Sequence, residues 1–307
     1  MPFNSTTDAF YLQPYKGIEA KGNWFRNLKF LGKGGNGTAF VVIGTEGPLR
    51  GGIFALKIFH KMSSSERRDR FLREAAFLRT VNHPNLMRLM DEGEYEDRPF
   101  VIQDYMPRTL FQEIAGKGLD FGRALIFACQ LLSGLQALHK KGIIHRDIKP
   151  RNIFVDNLGV SLGDFGLIKK LSTDHDAADQ NDLEGYFAMA RFYRTPELVG
   201  YARKEKALDL RSDIFQLGLV FAEMFSGRNP LIESDDLTAS IELESLTHIP
   251  GKHAGLVAKT IIEMLNKDPD KRCSIDTALA RFTGLVETYS KDYDELHGHS
   301  FLGQLAN

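Results

Sequence analysis

The spacing of apolar positions changes character near residue 105 of this 307-residue chain. Before that point apolar residues fall in short runs separated by glycine: 28–31, 38–43, 53–59, 86–90 and 100–103. Short runs of this kind, bounded by turn residues, predict strands. One segment breaks the pattern. Phe71, Leu72, Ala75 and Leu78 recur at helical spacing behind Ser63 and Glu66, which stand in capping-box register, so a helix is expected there. After Pro107 the apolar positions widen into the broad faces of long helices over 125–139, 213–225 and 257–265. The expected class is α+β: a small β-rich lobe with one helix over 25–104, then a hinge and a larger, mainly helical lobe over 105–282. Residues 1–24 and 283–307 read as extensions.

Composition narrows the class. Hydrophobic residues make up 43% and charged residues 26%, as in ordinary globular proteins. The 39 basic and 40 acidic residues nearly cancel, so no general attraction to nucleic acid or anionic membrane is expected. The most apolar stretch, 124–138, is interrupted by Gln130, Ser133, Gly134 and Gln136 and is shorter than the roughly 20 residues of a membrane span. It reads as a buried helix. The first ten residues have neither a basic start nor an apolar core, so a secretory signal is not expected. Cys129 and Cys273 lack metal-ligand spacing, which points away from a disulfide framework or a zinc site and toward a reducing cytoplasm.

Two features suggest phosphate chemistry. Gly32-Lys33-Gly34-Gly35-Asn36-Gly37 has G-x-G-x-x-G spacing, and the strand-like 38–43 follows it where a dinucleotide-binding turn would need a helix. A glycine-rich strand–turn–strand lets backbone N–H groups approach phosphates without a Cβ in the way; a flexible hairpin is the plainer alternative. Lys57 lies inside the apolar strand Ala55-Leu56-Lys57-Ile58-Phe59, and Glu74 lies on the apolar face of the predicted helix. Either charge is costly there alone, and each suits the other as a partner.

Further along come His145-Arg146-Asp147-Ile148-Lys149-Pro150-Arg151-Asn152 and Gly163-Asp164-Phe165-Gly166. With these two motifs in order, the chain resembles the protein kinase family over residues 28–282. The resemblance implies the bilobal protein kinase fold and transfer of the γ-phosphoryl group of ATP with Mg²⁺ or Mn²⁺. It implies that Asp147 accepts the substrate proton, that Lys149 balances charge on the γ-phosphate, and that Asn152 and Asp164 ligate the metal. Lys57 would hold the α- and β-phosphates, with Glu74 fixing it. The implied ATP-binding set is Gly32, Lys33, Gly34, Gly35, Asn36, Gly37, Ala39, Ala55, Lys57, Gln103, Asp104 and Met106, the last two through backbone atoms at the hinge. Thr195-Pro196-Glu197 resembles the family's A-P-E, with Arg272 as the implied partner of Glu197, and Asp213 matches the helix residue that supports the catalytic loop.

Lys149-Pro150 resembles serine/threonine kinases, so hydroxyls of a protein substrate are the expected acceptors. Ala190 departs from that pattern, standing where such kinases carry a threonine. Gln216 stands where serine or alanine is usual, and no function is attached to it. Two other readings share these motifs: a pseudokinase-like scaffold or allosteric binding module, and a metabolite kinase of the aminoglycoside/choline type. The former normally loses one of Lys57, Asp147 or Asp164, and the latter lacks an intact A-P-E segment. For regulation, Arg146 beside Asp147 could pair with a phosphate at Ser172, Thr173 or Tyr186, which implies autophosphorylation through self-association. The acidic residues Asp174, Asp176, Asp179, Asp182 and Glu184 could instead supply that partner.

Overall fold

The computed structural model describes residues 10–305 except 35–36, 61, 63, 171–191, 204, 206–207, 235, 237 and 247. The chain divides into two compact units, residues 1–106 and 107–307.

The first unit is a six-stranded antiparallel sheet in the order β1-β2-β3-β4-β6-β5. Its strands are β1 Gly17–Glu19, β2 Trp24–Lys33, β3 Gly37–Glu46, β4 Ile53–Phe59, β5 Leu89–Tyr95 and β6 Arg98–Asp104. Phe25, Phe40, Val42, Leu56, Ile58, Phe100 and Ile102 pack as its core, supplied by alternate positions of neighbouring strands. Helix α1, Ser65–Leu78, follows β4 and buries Phe71, Ala75 and Leu78. Its cap is Ser64, whose Oγ accepts from the Arg67 amide at 3.3 Å; Ser63, the expected capping-box residue, lies outside the described residues. Leu72, expected on the apolar face, is exposed, because the buried stripe runs through 71, 74, 75 and 78. The strand expected over 86–90 begins at Leu89; Leu86 and Met87 are buried in the turn before it.

Residues 10–24 belong to this unit and are not an appendage to it. β1 pairs with the start of β2 (Ile18 opposite Phe25), and Leu12 and Ile18 are buried in the same core. Asn27 ties the segment down by donating from Nδ2 to the carbonyls of Leu12 at 2.9 Å and Gln13 at 3.0 Å.

The second unit is mainly helical. Its helices are α2 Leu110–Ile114, α3 Phe121–His139, α4 Pro196–Ala202, α5 Arg211–Ser226, α6 Ala254–Met264, α7 Ile275–His297 and α8 Phe301–Leu305. Small sheets join β7 Arg108–Thr109, β9 Ile153–Val155 and β10 Val160–Leu162, and pair β8 Ile143–Ile144 with β11 Lys169–Lys170. α3 is long and apolar enough by length and composition to cross a membrane, and is the one such helix among the described residues. Ten of its residues are buried within this unit, and it packs against α5 and α7. The boundary expected at 282 falls in the middle of α7. That helix continues for four more turns, burying Leu285 and Ser290 and setting Tyr289 against Phe121 and Phe301 with ring centroids 5.5 and 5.0 Å apart.

Candidate active site

In the first unit, the glycine loop joins β2 to β3, and the Gly34 amide donates to the Gly37 carbonyl at 2.8 Å. Its glycines serve different ends. A Cβ at Gly37 would come within 2.8 Å of the Ile58 carbonyl on β4, so strand packing demands that glycine. A Cβ at Gly32 would meet nothing within 4 Å, and one at Gly34 only the Gly37 carbonyl at 3.7 Å, so those positions keep the loop's surface open. Gly35 and Asn36 lie outside the described residues.

Lys57 occupies β4, opposite Ala39 on β3 and Val101 on β6, and its ammonium donates to both carboxylate oxygens of Glu74 at 2.8 and 2.9 Å. Glu74 is 3% exposed on α1, so the pair resolves both misplaced charges at once. Ala55 faces Gln103 across β4–β6, and Gln103 is half-buried. Asp104 closes β6, where its carboxylate takes a bidentate pair from Arg88 at 2.8 and 2.9 Å. Met106 is the last residue of the unit and is partly buried. Lys33 ends β2 with its side chain exposed.

In the second unit the loop after β8 is held from beneath by Asp213 on α5, which is fully buried. Its Oδ2 accepts from the His145 amide at 2.8 Å and hydrogen-bonds the His139 ring at 3.0 Å, and its Oδ1 accepts from the Arg146 amide at 2.9 Å. His145 carries its proton on Nε2, since that nitrogen meets the Gly163 carbonyl at 3.2 Å while Nδ1 accepts from the Asp147 amide at 3.4 Å. Its ring also lies against Phe165, centroids 5.3 Å apart. Thus the catalytic loop and the Asp164 segment are joined through one buried imidazole.

Asp147, 3% exposed, is the centre of the site. Lys149 Nζ donates to both its oxygens at 2.8 Å, and Asn152 Nδ2 donates to its Oδ2 at 2.7 Å and its backbone carbonyl at 2.9 Å. Burial pushes the Asp147 carboxyl above its ordinary pKa, and the nearby Asp164 charge pushes the same way, with Lys149 opposing both.

The donor set fits a hard divalent cation. With its amide hydrogens on Asp147, Asn152 has its Oδ1 for a metal, and Asp164 is an exposed carboxylate on a left-handed backbone (φ 56°). Two mutually repelling carboxylates beside an amide oxygen would be relieved by a cation. No group of three His, Cys, Asp or Glu placed to hold a metal ion occurs among the described residues. Mg²⁺ suits such a sparse site because it draws its other ligands from water and phosphate oxygens.

Glu197, at the N-terminus of α4, pairs with Arg272 at 2.6 Å, both buried, so the expected partnership is present. Arg146 donates through its guanidinium to the carbonyls of Leu167 and Ile168, just past the Asp164 motif. Ser172, Thr173, Tyr186 and Ala190 lie outside the described residues. Sequence reasoning missed Gln216, which is fully buried and hydrogen-bonded to the catalytic loop. A signal was present: a lone amide in the otherwise apolar run 214–222, three residues after Asp213 and so on the same helix face. It also missed Tyr193, whose hydroxyl donates to the half-buried Glu223.

A two-unit fold of this kind, with a lysine–glutamate pair in the β-rich unit and a buried aspartate–lysine–asparagine cluster in the helical one, defines a kinase. Residues 25–282 match the protein kinase domain, and the chain belongs to that family. It is 30% identical over 263 residues to a serine/threonine-protein kinase, pkn2, of Myxococcus xanthus, an alignment covering 81% of this chain and 30% of that protein. It is 30% identical over 293 residues to a probable serine/threonine-protein kinase, PknB, of Lactococcus lactis, covering 88% and 45% respectively. It is 29% identical over 250 residues to the human cyclin-dependent kinase-like 2, covering 80% and 47%. The chain spans less than half the length of these relatives.

Proposed function

We propose that this chain transfers the γ-phosphoryl group of ATP to serine or threonine hydroxyls of protein substrates, itself included. The observation that carries the reading is the Asp147 cluster: a buried carboxylate, held by Lys149 and Asn152, beside the exposed Asp164. Bound ATP, with Mg²⁺ or Mn²⁺, supplies the phosphoryl group and the charge that offsets its oxygens. The protein's share is positioning and electrostatics. Asp147 accepts the hydroxyl proton and orients that hydroxyl, and its raised pKa makes it a stronger base than an exposed aspartate. Lys149 holds Asp147 ionised and offers positive charge to developing negative charge. Asn152 and Asp164 would hold the metal, and Lys57, steadied by Glu74, would take the α- and β-phosphates. Lys149-Pro150 and the serine/threonine kinases among the relatives support the choice of acceptor.

Autophosphorylation would fall on Ser172, Thr173 or Tyr186 and would require two copies to meet. We place the reaction in the cytoplasm: the Cys129 and Cys273 thiols form no disulfide and are partly buried, as suits a reducing compartment. The test is incorporation of labelled phosphate from ATP into a generic protein substrate and a small-molecule panel, with Asp147→Ala as control. Label in protein that depends on Asp147 and vanishes in excess EDTA is expected. Label confined to small molecules, or undiminished by EDTA, would overturn the reading.

A further inference from the structure

Gln216 lies in the middle of α5, fully buried, with every hydrogen-bonding edge of its amide in use. Its Oε1 accepts from the Ile148 amide at 3.0 Å. Its Nε2 donates to the Arg146 carbonyl at 3.0 Å and to the Tyr193 carbonyl at 3.0 Å. With one N–H donor and two carbonyl acceptors around it, the amide has a single satisfactory orientation.

The two catalytic-loop contacts bracket one residue. The Arg146 carbonyl belongs to the peptide unit before Asp147, and the Ile148 amide belongs to the unit after it. One planar side-chain amide therefore grips both peptide planes that flank the catalytic aspartate, restraining its φ and ψ together. The third contact ties the same amide to residue 193, two residues before the Thr195 cap of α4. The grip opposes strain: Arg146 has φ 69°, a left-handed backbone in a residue with a Cβ, of a kind that persists only where its surroundings over-determine it. Asp213 holds the amides of His145 and Arg146, and Gln216 takes the next carbonyl and amide along. Residues 213 and 216 are one helical turn apart, so α5 presents a two-residue clamp to the loop.

We propose that Gln216 is a positioning residue for phosphoryl transfer: through its clamp on the Arg146 carbonyl and the Ile148 amide it sets the orientation of Asp147 and couples it to the segment at Tyr193. This rests on the kinase reading above. A serine at this position is too short to span both peptide planes.

The experiment compares wild type with Gln216→Met, which keeps the volume but lacks the donors, and Gln216→Glu, which keeps only the acceptor for Ile148. For each folded variant, kcat, the affinity for a fluorescent ATP analogue and amide exchange are measured. A misplaced catalytic group costs up to about 10²-fold in rate, so kcat should fall about 10- to 100-fold in both while nucleotide affinity stays within about 2-fold. Exchange should quicken in the peptide covering 143–155 and not in α3. Full kcat in folded Gln216→Met overturns the proposal, as does parallel loss of affinity with faster exchange throughout the second unit. Should neither variant fold, the wild-type Ile148 amide decides: slow exchange supports the clamp, fast exchange overturns it. A wild-type chain that phosphorylates nothing faults the kinase reading instead, while the exchange measurements still test the clamp.

Discussion

Lys57 donates to both carboxylate oxygens of Glu74, at 2.8 and 2.9 Å, and so joins β4 to α1 within the first unit. The bidentate arrangement fixes the position of Nζ, which a single contact on a flexible four-carbon side chain would not do. Lys57→Met should lower kcat/KM by about 10²–10³-fold, the usual cost of removing one preorganised electrostatic contact. Glu74→Gln, which leaves an amide oxygen for Lys57, should lose less. Circular dichroism should show both variants folded. Wild-type turnover in Lys57→Met would make the pair merely structural.

The pH profile should report Asp147. Burial, aided by Asp164, raises its pKa, so the acidic limb of kcat/KM should lie above the ordinary carboxylate range. Lys149 acts in the opposite direction, so Lys149→Met should move the limb to higher pH as well as lower the plateau. A limb moving downward would contradict this placement of the charges. The stability linkage has the matching sign. A carboxyl whose folded pKa is raised contributes most below its unfolded pKa, and that contribution is lost as pH rises through the folded value.

The Glu197–Arg272 pair is buried on both sides, and Glu197 Oε2 has no hydrogen-bond partner among the described residues, so its negative charge depends heavily on Arg272. Arg272→Met should destabilise the chain by about 3–5 kcal/mol, as expected when one member of a buried ion pair is stranded. Adding Glu197→Met should recover part of that loss. Urea denaturation of the single and double variants checks this, and strictly additive losses would count against it.

Leu12 and Ile18 belong to the core of the first unit, so the N-terminal segment carries stability. Leu12→Ala should cost about 2–5 kcal/mol. Removing residues 1–22 should lower the melting temperature and not merely trim a tail. An unchanged melting temperature after that truncation would refute the assignment of Leu12 and Ile18 to the core.

Tyr193 donates to Glu223, whose carboxyl is pushed up by burial. Tyr193→Phe should cost about 0.5–1.5 kcal/mol at neutral pH by removing a donor from the half-buried Glu223 carboxylate. The cost should shrink as pH falls and Glu223 takes up a proton, as measured by denaturation at several pH values.

The sequence by itself determined the class of fold and the chemistry, because both are written in local signals. The shift from strand-like to helical spacing near residue 105 marked the two units, and the clustered motifs around Asp147 and Asp164 have spacings that chemistry dictates. Lys57 and Glu74 were legible as a pair because each alone violates burial rules. What only the tertiary structure decided depends on contacts between residues far apart in the chain. Residues 10–24 look like an appendage until β1 finds β2 and Leu12 enters the core, and residue 282 looks like an end until α7 runs on against α3. Gln216 shows the same limit most sharply. Its amide has meaning only because folding brings α5 against residues 146, 148 and 193, and hydrogen bonds to backbone leave no mark on the residue types they join.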